Sequence, residues 1–390
     1  MADKAFITPN VLRWSRESAR ISLEIAAAKV NVSIEKITEW EEGLSHPTIR
    51  QAEILANAYR RPFALFFLPE IPCDFTPLQD FRRDTAKGLN TGSVFIIREI
   101  QQKQAWISDM NQENKEMPLE FVGRFTMDHD PKTIAENILE TLGINPANYN
   151  TGKPIKEWID KAESKGIFIS RASFIHSRMK LDSDEIQGFA IADKYAPFVF
   201  INTEDWEAPQ LFTLVHELAH IWIAASGISG DIELSLQNTK LANPIELFCN
   251  EIAASALMPQ SYINHINSSV FDSASGVFTE AKKLGVSSFA FLVRAFHLQR
   301  INITTYKSLK QRADTDFKAY LQHEEEKKAR QKEAKGGPNP YLLRLNKNSR
   351  LFTQIVLDAF RGGHIPPSQA SLLLNTQVNN FPKLEAVLYS

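Results

Sequence analysis

The sequence predicts an α+β fold in which a small group of strands lies between helical regions. Apolar residues recur at helical spacing through much of the first 150 residues, for example in SVFIIREIQQKQAWISDM. From about residue 151, short segments rich in aromatic and branched residues appear, and IQGFAIA and APFVFIN are typical of strands. Helical patterns return at about 208–224, 244–258 and 287–299. Together these observations indicate several helices and one small sheet.

The length and the changes of pattern along the chain predict several domains. A chain of 390 residues corresponds to two or three domains of ordinary size. Prolines and aromatic residues cluster at 61–78, which disfavours long regular structure there. We expect a helical domain at 1–70, a linker and helical region at 71–150, a mixed domain at 151–305 and a helical C-terminal region at 306–390.

Composition excludes several classes of protein. The net charge is −2, so the whole chain is not a polybasic nucleic-acid binder. Cys73 and Cys249 are the only cysteines, too few for a disulfide framework. The sequence has no signal-peptide pattern, and apolar runs such as Phe63–Leu68 fall far short of the ~20 residues that span a bilayer. We expect a soluble, cytoplasmic protein with no membrane partner, in which the charged run 324–335 is a solvated helix or linker.

The strongest chemical signal is the motif His216-Glu-Leu-Ala-His220 in the apolar, helical segment LFTLVHELAHIWI. Positions i and i+4 share one face of a helix, so both imidazoles can reach one cation. Zinc binds well to two neutral imidazoles and one carboxylate. Glu217 is placed to act as general base and then as proton donor to a leaving amine. A chance motif with core histidines is the alternative, but these polar side chains are costly to bury without a partner.

A third ligand must come from a later element, and Glu246 is our choice. It begins an E-x-x-x-N pattern, so Asn250 shares its helix face and can hydrogen-bond a metal-binding histidine. Residues 243–246 also resemble an N-cap with Pro at N1 and Glu at N3, which leaves a purely helix-starting role for Glu246 open. Glu251 and, more weakly, Glu233 are the other candidates.

The remaining candidate residues have weaker patterns. Cys249 sits among apolar residues and is expected to be a buried packing residue rather than a soft ligand. His176, His265 and His297 lack ligand spacing. Two roles are considered for His265. One is stabilisation of an oxyanion, and the other, which we prefer, is an ordinary surface or capping role.

About residues 150–305 resemble the ImmA/IrrE family of metallopeptidases. The resemblance rests on three motifs in the family's order, VFIN at 199–202, TLVHELAHIW at 213–222 and ELFCNEIAASALMP at 246–259. The resemblance implies a gluzincin-like domain with a Zn2+ cofactor. It implies zinc ligation by His216, His220 and Glu246, with Glu217 catalytic. Family members are associated with the cleavage or inactivation of transcriptional repressors and with toxin–antitoxin genes, so the expected protein substrate is a transcriptional regulator or a toxin.

Residues 9–69 resemble the lambda-repressor-like (XRE) helix-turn-helix domain. The matching features are Ser22–Ala26 at the start of a second helix, a turn at Val30–Ser33 and a third helix at Ile34–Glu41. The resemblance implies a recognition helix over 33–39 that enters the major groove of operator DNA. Its candidate DNA-binding residues are Ser33, Glu35, Lys36, Thr38 and Glu39.

Charge leaves the role of this N-terminal domain open. Residues 1–69 carry nine Lys or Arg and eight Asp or Glu, whereas DNA binding normally rests on a basic footprint for the phosphates. DNA binding and protein recognition are therefore both considered, although Glu35 and Glu39 can accept hydrogen bonds from cytosine.

Two functions follow as hypotheses. In the first, the chain is a zinc endopeptidase whose protein substrate pairs as an added strand with an edge strand at Phe198–Asn202. In the second, it is a non-catalytic, antitoxin-like DNA-binding regulator with a structural or vestigial metal site. The two are compatible, because a peptidase can also repress its own operon. A homodimer is the expected form of self-association, and the C-terminal 85 residues are a candidate region for partner binding or dimerisation.

Overall fold

The computed structural model describes residues 3–73, 77–81, 88–150, 152–176, 179–229, 243–315 and 339–390. The charged run at 324–335 and the candidate ligand Glu233 lie outside these ranges. Within the described ranges, none of the helices is long and apolar enough to cross a membrane. The described chain is mainly helical with a small mixed sheet, in agreement with the predicted α+β class.

The chain divides into two compact units. The first unit contains Met1–Pro77, Ala86–Gln101 and Phe174–Leu181. The second unit contains Leu78–Thr85, Gln102–Ser173 and Asp182–Ser390. The four regions expected along the sequence stay a prediction.

The first unit begins with four helices whose ends follow from local sequence. They are α1 (Pro9–Ser18), α2 (Leu23–Val30), α3 (Ile34–Glu42) and α4 (Ile49–Tyr59). The Ser22 side chain caps α2 by accepting from the Ile25 N–H, and Thr48 and Gln51 form a capping box at the start of α4. Between α2 and α3, Asn31 has a φ of 53°, a left-handed conformation that asparagine tolerates well and that turns the chain sharply.

A buried ion pair joins two helices of the first unit. Arg16 Nε and Nη2 donate to the Glu41 carboxylate at 2.7 and 2.8 Å. In the described part of the proline-rich stretch that follows α4, the chain forms a short 3-10 helix at Phe63–Phe67 and no longer helix, as its composition predicted. A two-stranded antiparallel hairpin of Phe174–His176 and Met179–Lys180 belongs to the same unit.

The second unit is built on a five-stranded mixed sheet with the strand order β1-β7-β5-β6-β2. Its strands are β1 (Gln79–Asp80), β2 (Phe168–Ala172), β5 (Gly188–Ile191), β6 (Phe198–Asn202) and β7 (Gly227–Ser229), while β3 and β4 form the hairpin of the first unit. β6 pairs antiparallel with β5 and parallel with β2. The prediction that β6 is an edge strand is therefore wrong. All five of its residues are buried, as in an interior strand covered on both faces.

Further helices follow α4 along the described chain, and the first of them runs from the first unit into the second. They are α5 (Thr91–Glu113), α6 (Pro131–Leu142), α7 (Pro154–Ser164), α8 (Glu207–Trp222), α9 (Pro244–Leu257), α10 (Gln260–His265), α11 (Ala274–Leu284) and α12 (Ser288–His297). The predictions for α8, α9 and α12 agree with these bounds to within about two residues. The Ser287 side chain caps α12 by accepting from the Ala290 N–H.

The described end of the chain is helical, as predicted, and belongs to the second unit. Its helices are Pro340–Asn348, Arg350–Arg361, Pro367–Leu374 and Phe381–Leu388. Ser170 on β2 donates to the Lys347 carbonyl at 2.5 Å, and Ser349 donates to the buried Glu163 carboxylate at 2.6 Å. These helices are therefore part of the packed structure around the sheet.

Candidate metal centre

Helix α8 carries the His-Glu-x-x-His motif through the interior of the second unit. Every residue from Gln210 to Trp222 is buried, and the side chains of His216, Glu217 and His220 are fully buried. A helix that is apolar on most sides is buried on most sides, so these three polar side chains lie in the core. The two imidazole rings are one turn apart, with centroids separated by 4.8 Å.

Helix α9 brings Glu246 to the two histidines. The Asn243 side chain caps this helix by accepting from the Ile245 N–H, as the N-cap pattern predicted. Glu246 Oε2 lies 3.3 Å from His216 Nε2, and its Oε1 lies 3.1 Å from His220 Nε2. Asn243 therefore starts the helix, while the Glu246 side chain faces the histidines.

The three side chains form a compact set of donor atoms. The Nε2 atoms of His216 and His220 are 3.0 Å apart, and the ligand atoms of the group, including a Glu246 oxygen, lie within 4.8 Å of one another. In a tetrahedral zinc centre with bonds of about 2.0–2.1 Å, neighbouring ligand atoms are about 3.4 Å apart. The observed spacing fits one cation held by two imidazoles and a carboxylate.

Hydrogen bonds fix the tautomers of the two histidines. His220 Nδ1 lies 3.1 Å from the Ala225 carbonyl oxygen, which can only accept, so Nδ1 carries the proton. His216 Nδ1 lies 2.8 Å from Asn250 Oδ1, the contact expected from the E-x-x-x-N spacing. Each Nε2 therefore keeps a lone pair, and the two lone pairs face each other and a carboxylate. This arrangement is repulsive alone and becomes favourable around a cation.

Electrostatics favour the protonation state that binds metal. Burial alone would raise the pKa of Glu246, but positive charge on the imidazoles of His216 and His220 outweighs burial and lowers the pKa to about 2, and a cation bound between the rings would supply the same positive charge. Burial lowers the pKa of His220, although contact with Glu246 opposes this shift. An ionised carboxylate and a neutral imidazole are the forms that ligate zinc.

The Glu217 carboxylate is buried beside these donor atoms, and an interaction with Ser229 only partly opposes the resulting rise of its pKa. Neither of its oxygens has a hydrogen-bond partner among the described residues. Burial, followed by the nearby Glu246 carboxylate, raises the pKa of Glu217 well above its ordinary value. Gly188 on β5 makes room for the group, since a Cβ there would lie 2.8 Å from Glu217 Oε1 and 2.7 Å from Thr213 Cγ2. A buried carboxylate in this state is a candidate for a chemical role.

Reasoning from the sequence missed three contributors to this site. The Ala225 carbonyl orients His220, and no side-chain pattern signals a main-chain contact of this kind. Gly188 was detectable in principle, because an isolated glycine inside a strand pattern often marks a close approach. Phe81 stacks on the His220 ring, and nothing in its sequence context connects it to the motif.

The other candidate ligands lie away from the donor set. Glu251 accepts from Arg294 Nη1 at 2.7 Å. His265 and His297 are exposed at the ends of α10 and α12, and His265 Nδ1 contacts a carbonyl of its own helix. Cys249 is buried in the apolar core, as its packing role predicted, and burial raises the pKa of its thiol well above the ordinary value.

The residues predicted to bind DNA lie on or next to α3 in the first unit. Ser33, the N-cap residue, and Glu35 are exposed. Lys36 Nζ donates to Glu39 Oε2 at 2.6 Å, so these two charges pair with each other. The Thr38 hydroxyl donates to a main-chain carbonyl one turn earlier in the helix. This face therefore presents no unpaired basic charge from these five residues.

A buried helix with two histidines and a glutamate, met by a glutamate from a later helix, is the arrangement expected of a metallopeptidase-like site. Residues 162–296 match the Peptidase_M78 family model, described as an IrrE N-terminal-like domain. The matched segment is roughly a third of the chain and contains both α8 and α9. It supports a metallopeptidase-like domain and the resemblance to the ImmA/IrrE family over this segment. No curated protein matches the chain.

Proposed function

We propose that the chain is a zinc-dependent endopeptidase that acts on a protein regulator, either a transcriptional repressor or a toxin–antitoxin component. The observation that carries the proposal is the meeting of two Nε2 lone pairs with an ionised carboxylate, beside a glutamate that has no partner among the described residues. The family match at 162–296 supports a peptidase. The proposal includes the case in which activity is latent until a signal arrives.

The metal ion would be held by His216 Nε2, His220 Nε2 and the Glu246 carboxylate. When bound, zinc supplies Lewis-acid polarisation of a peptide carbonyl. Asn250 and the Ala225 carbonyl keep the two rings oriented through their Nδ1 atoms. The ionised Glu246 carboxylate contributes the negative charge that the two neutral rings lack.

Glu217 would move the protons of the reaction. Its carboxylate accepts a proton from the attacking water and then donates it to the leaving amine. A raised pKa suits the second half of this task, because the carboxyl group holds the proton until the amine departs. The buried surroundings strengthen each of these interactions, since they exclude competing water.

A search for newly formed protein N-termini tests the proposal. Zinc-loaded chain is incubated with protein extracted from its own source cells, and new N-termini are identified by mass spectrometry. We expect a cleaved regulator with the wild type and none with Glu217→Gln at unchanged zinc content. Glu207→Gln, the same change at an exposed glutamate of α8, is the matched control and should keep the activity. Cleavage that is indifferent to Glu217→Gln contradicts the proposal.

A second function, binding of operator DNA by the first unit, is favoured by the sharp turn between α2 and α3 and by the exposure of Ser33 and Glu35. The pairing of Lys36 with Glu39 weakens this case, because it removes a free positive charge from the helix. The corresponding alternative for the whole chain is a non-catalytic, antitoxin-like regulator with a vestigial metal site. Fluorescence anisotropy with the promoter DNA of its own gene at low salt tests it. Binding no tighter than to random DNA contradicts it.

A further inference from the structure

A short internal strand lies at the sheet edge next to the candidate metal centre. β1 is two residues long and runs parallel to β7, with Gln79 opposite Gly227 and Asp80 opposite Ile228. Directly after β1, the Phe81 N–H donates to the Ile228 carbonyl at 3.0 Å. β7 therefore has β5 on one side and this internal strand on the other.

One side chain anchors the internal strand. Phe81 is 3% exposed, whereas Gln79 is exposed. The Phe81 ring stacks on the His220 ring, with centroids 5.4 Å apart and planes 12° apart. Because His220 belongs to the donor set, the phenyl ring covers part of the candidate metal centre.

Gly227 is the residue that admits this ring. A Cβ at position 227 would lie 2.1 Å from Phe81 Cε2, 2.5 Å from its Cδ2 and 2.9 Å from the Gln79 carbonyl oxygen. The backbone of Gly227 is ordinary strand, so an alanine there conflicts with its neighbours and not with its own φ. Gly227 and the His220 ring thus form a slot that takes one flat side chain, and this slot is called the Phe81 slot below.

Pairing along a sheet edge, combined with a pocket for one side chain, is a general way in which sheets bind extended peptides. A free edge presents unpaired N–H and C=O groups to any extended chain. Residues 79–81 use these groups at β7 and fill the slot with their own aromatic ring. A strand of two residues makes few hydrogen bonds, so its release leaves the buried sheet intact.

We propose that Gln79–Phe81 is a self-occupying strand that closes the peptide-docking edge of the metal centre, and that an extended peptide with an aromatic residue in the Phe81 slot replaces it. The inference rests on the proposed peptidase function. It specifies the substrate as an extended segment that carries an aromatic side chain. It also makes the resting chain self-inhibited, because the edge opens only when the internal strand leaves.

Hydrogen–deuterium exchange on the full-length, zinc-loaded chain tests the internal strand without any need for catalysis. We expect a protected Phe81 amide in the wild type. Phe81→Ala and Gly227→Ala should each raise exchange at residues 79–81 at least about tenfold. Phe125→Ala removes a ring that packs edge-on against His129, a histidine outside the donor set, and should leave this exchange unchanged.

Melting temperatures measured on the same samples separate local release of the strand from unfolding of the unit. An unprotected Phe81 amide in the wild type overturns the proposal even if a variant fails to fold. Equal exchange in the wild type and both variants overturns it as well.

A fluorescein-labelled pentapeptide with the sequence of residues 77–81, Pro-Leu-Gln-Asp-Phe, tests the docking edge. A tethered segment competes at an effective concentration on the order of mM, so we expect at least about tenfold tighter binding to Phe81→Ala than to the wild type. In Phe81→Ala/Gly227→Ala the added methyl group fills the slot, and binding should be lost. Binding to Phe81→Ala that is no tighter than to the wild type overturns the proposal.

These measurements test the proposal of a self-occupying strand separately from the proposed peptidase function. Tighter peptide binding after Phe81→Ala, without any cleavage that depends on Glu217, supports the strand and contradicts the peptidase. Cleavage that depends on Glu217, with unchanged binding and exchange after Phe81→Ala, supports the peptidase and overturns the strand.

Discussion

Two buried carboxylates, one in each compact unit, have opposite surroundings. In the first unit, Glu41 is 3% exposed and accepts from Arg16 Nε at 2.7 Å and from its Nη2 at 2.8 Å. In the second unit, Glu217 is fully buried, and within the described ranges its oxygens have no hydrogen-bond partner. Both residues lie on helices, so the difference comes from what each helix packs against.

The contrast indicates two different roles for a buried carboxylate, one that stabilises the fold and one proposed to take part in a reaction. A two-point pairing with a guanidinium group compensates the desolvation of Glu41. Glu217 has no such two-point pairing, and burial raises its pKa despite an opposing interaction with Ser229. A carboxylate whose burial is so poorly compensated, beside a candidate metal donor set, is expected to lower stability, as the proposed proton-transfer role of Glu217 requires.

Glu217→Gln should produce the largest effect in this comparison. Loss of the general acid and base lowers cleavage by about 10²–10⁴-fold. Because the pKa of Glu217 is raised in the folded chain, ionisation costs stability as pH rises above the ordinary carboxyl value, and a neutral glutamine avoids that cost. The metal-free variant should therefore melt no lower than the wild type at neutral pH. A clear fall in melting temperature would mean that Glu217 stabilises the fold.

Glu41→Ala should have the opposite signature, a loss of stability. It leaves Arg16 buried and charged without its main partner, which costs about 3–5 kcal/mol. Urea unfolding followed by circular dichroism measures the loss. Glu42→Ala, at the exposed neighbouring position, should stay within about 0.5 kcal/mol of the wild type. Equal effects of the two variants would contradict a structural role for the buried pair.

Asn250→Ala tests the part of the comparison that concerns the candidate metal centre. The change removes the group that lies 2.8 Å from His216 Nδ1, so the ring loses its fixed orientation. We expect zinc affinity to fall by about 10–100-fold, measured by competition with a chelator. Asn264→Ala, at an exposed asparagine of α10, is the control and should leave the affinity unchanged. An unchanged affinity in Asn250→Ala would remove this residue from the site.

Lys36→Ala should give the smallest effect. Lys36 and Glu39 lie 2.6 Å apart, but their side chains are 43% and 40% exposed. An exposed pair of this kind contributes little to the free energy of unfolding. Urea unfolding of the variant measures it directly. A loss as large as that of Glu41→Ala would contradict the distinction between buried and exposed pairs.

The sequence predicted the elements that carry the candidate metal centre better than the way these elements assemble. The spacing within α8 placed His216 and His220 on one face, and the E-x-x-x-N spacing placed Asn250 toward a histidine, because both rules depend only on helix geometry. The interior position of β6 in the sheet depends on β2 and β5, which lie on either side of it. Strand order is set by packing between distant segments, so the pattern of β6 alone suggested an edge. β1 and β7 were missed for a related reason, since strands of two and three residues carry too little periodicity to detect.

Zinc content decides whether the buried donor set is a metal site. Elemental analysis of the purified, zinc-loaded chain should give about one zinc per chain in the wild type. His216→Ala and Glu246→Ala should each lose it, because each removes a donor atom from the group. Glu251→Gln, which changes a carboxylate of α9 that pairs with Arg294 instead, should keep it. No zinc in the wild type, or full zinc content in Glu246→Ala, would contradict the assignment and leave a regulator with a vestigial motif.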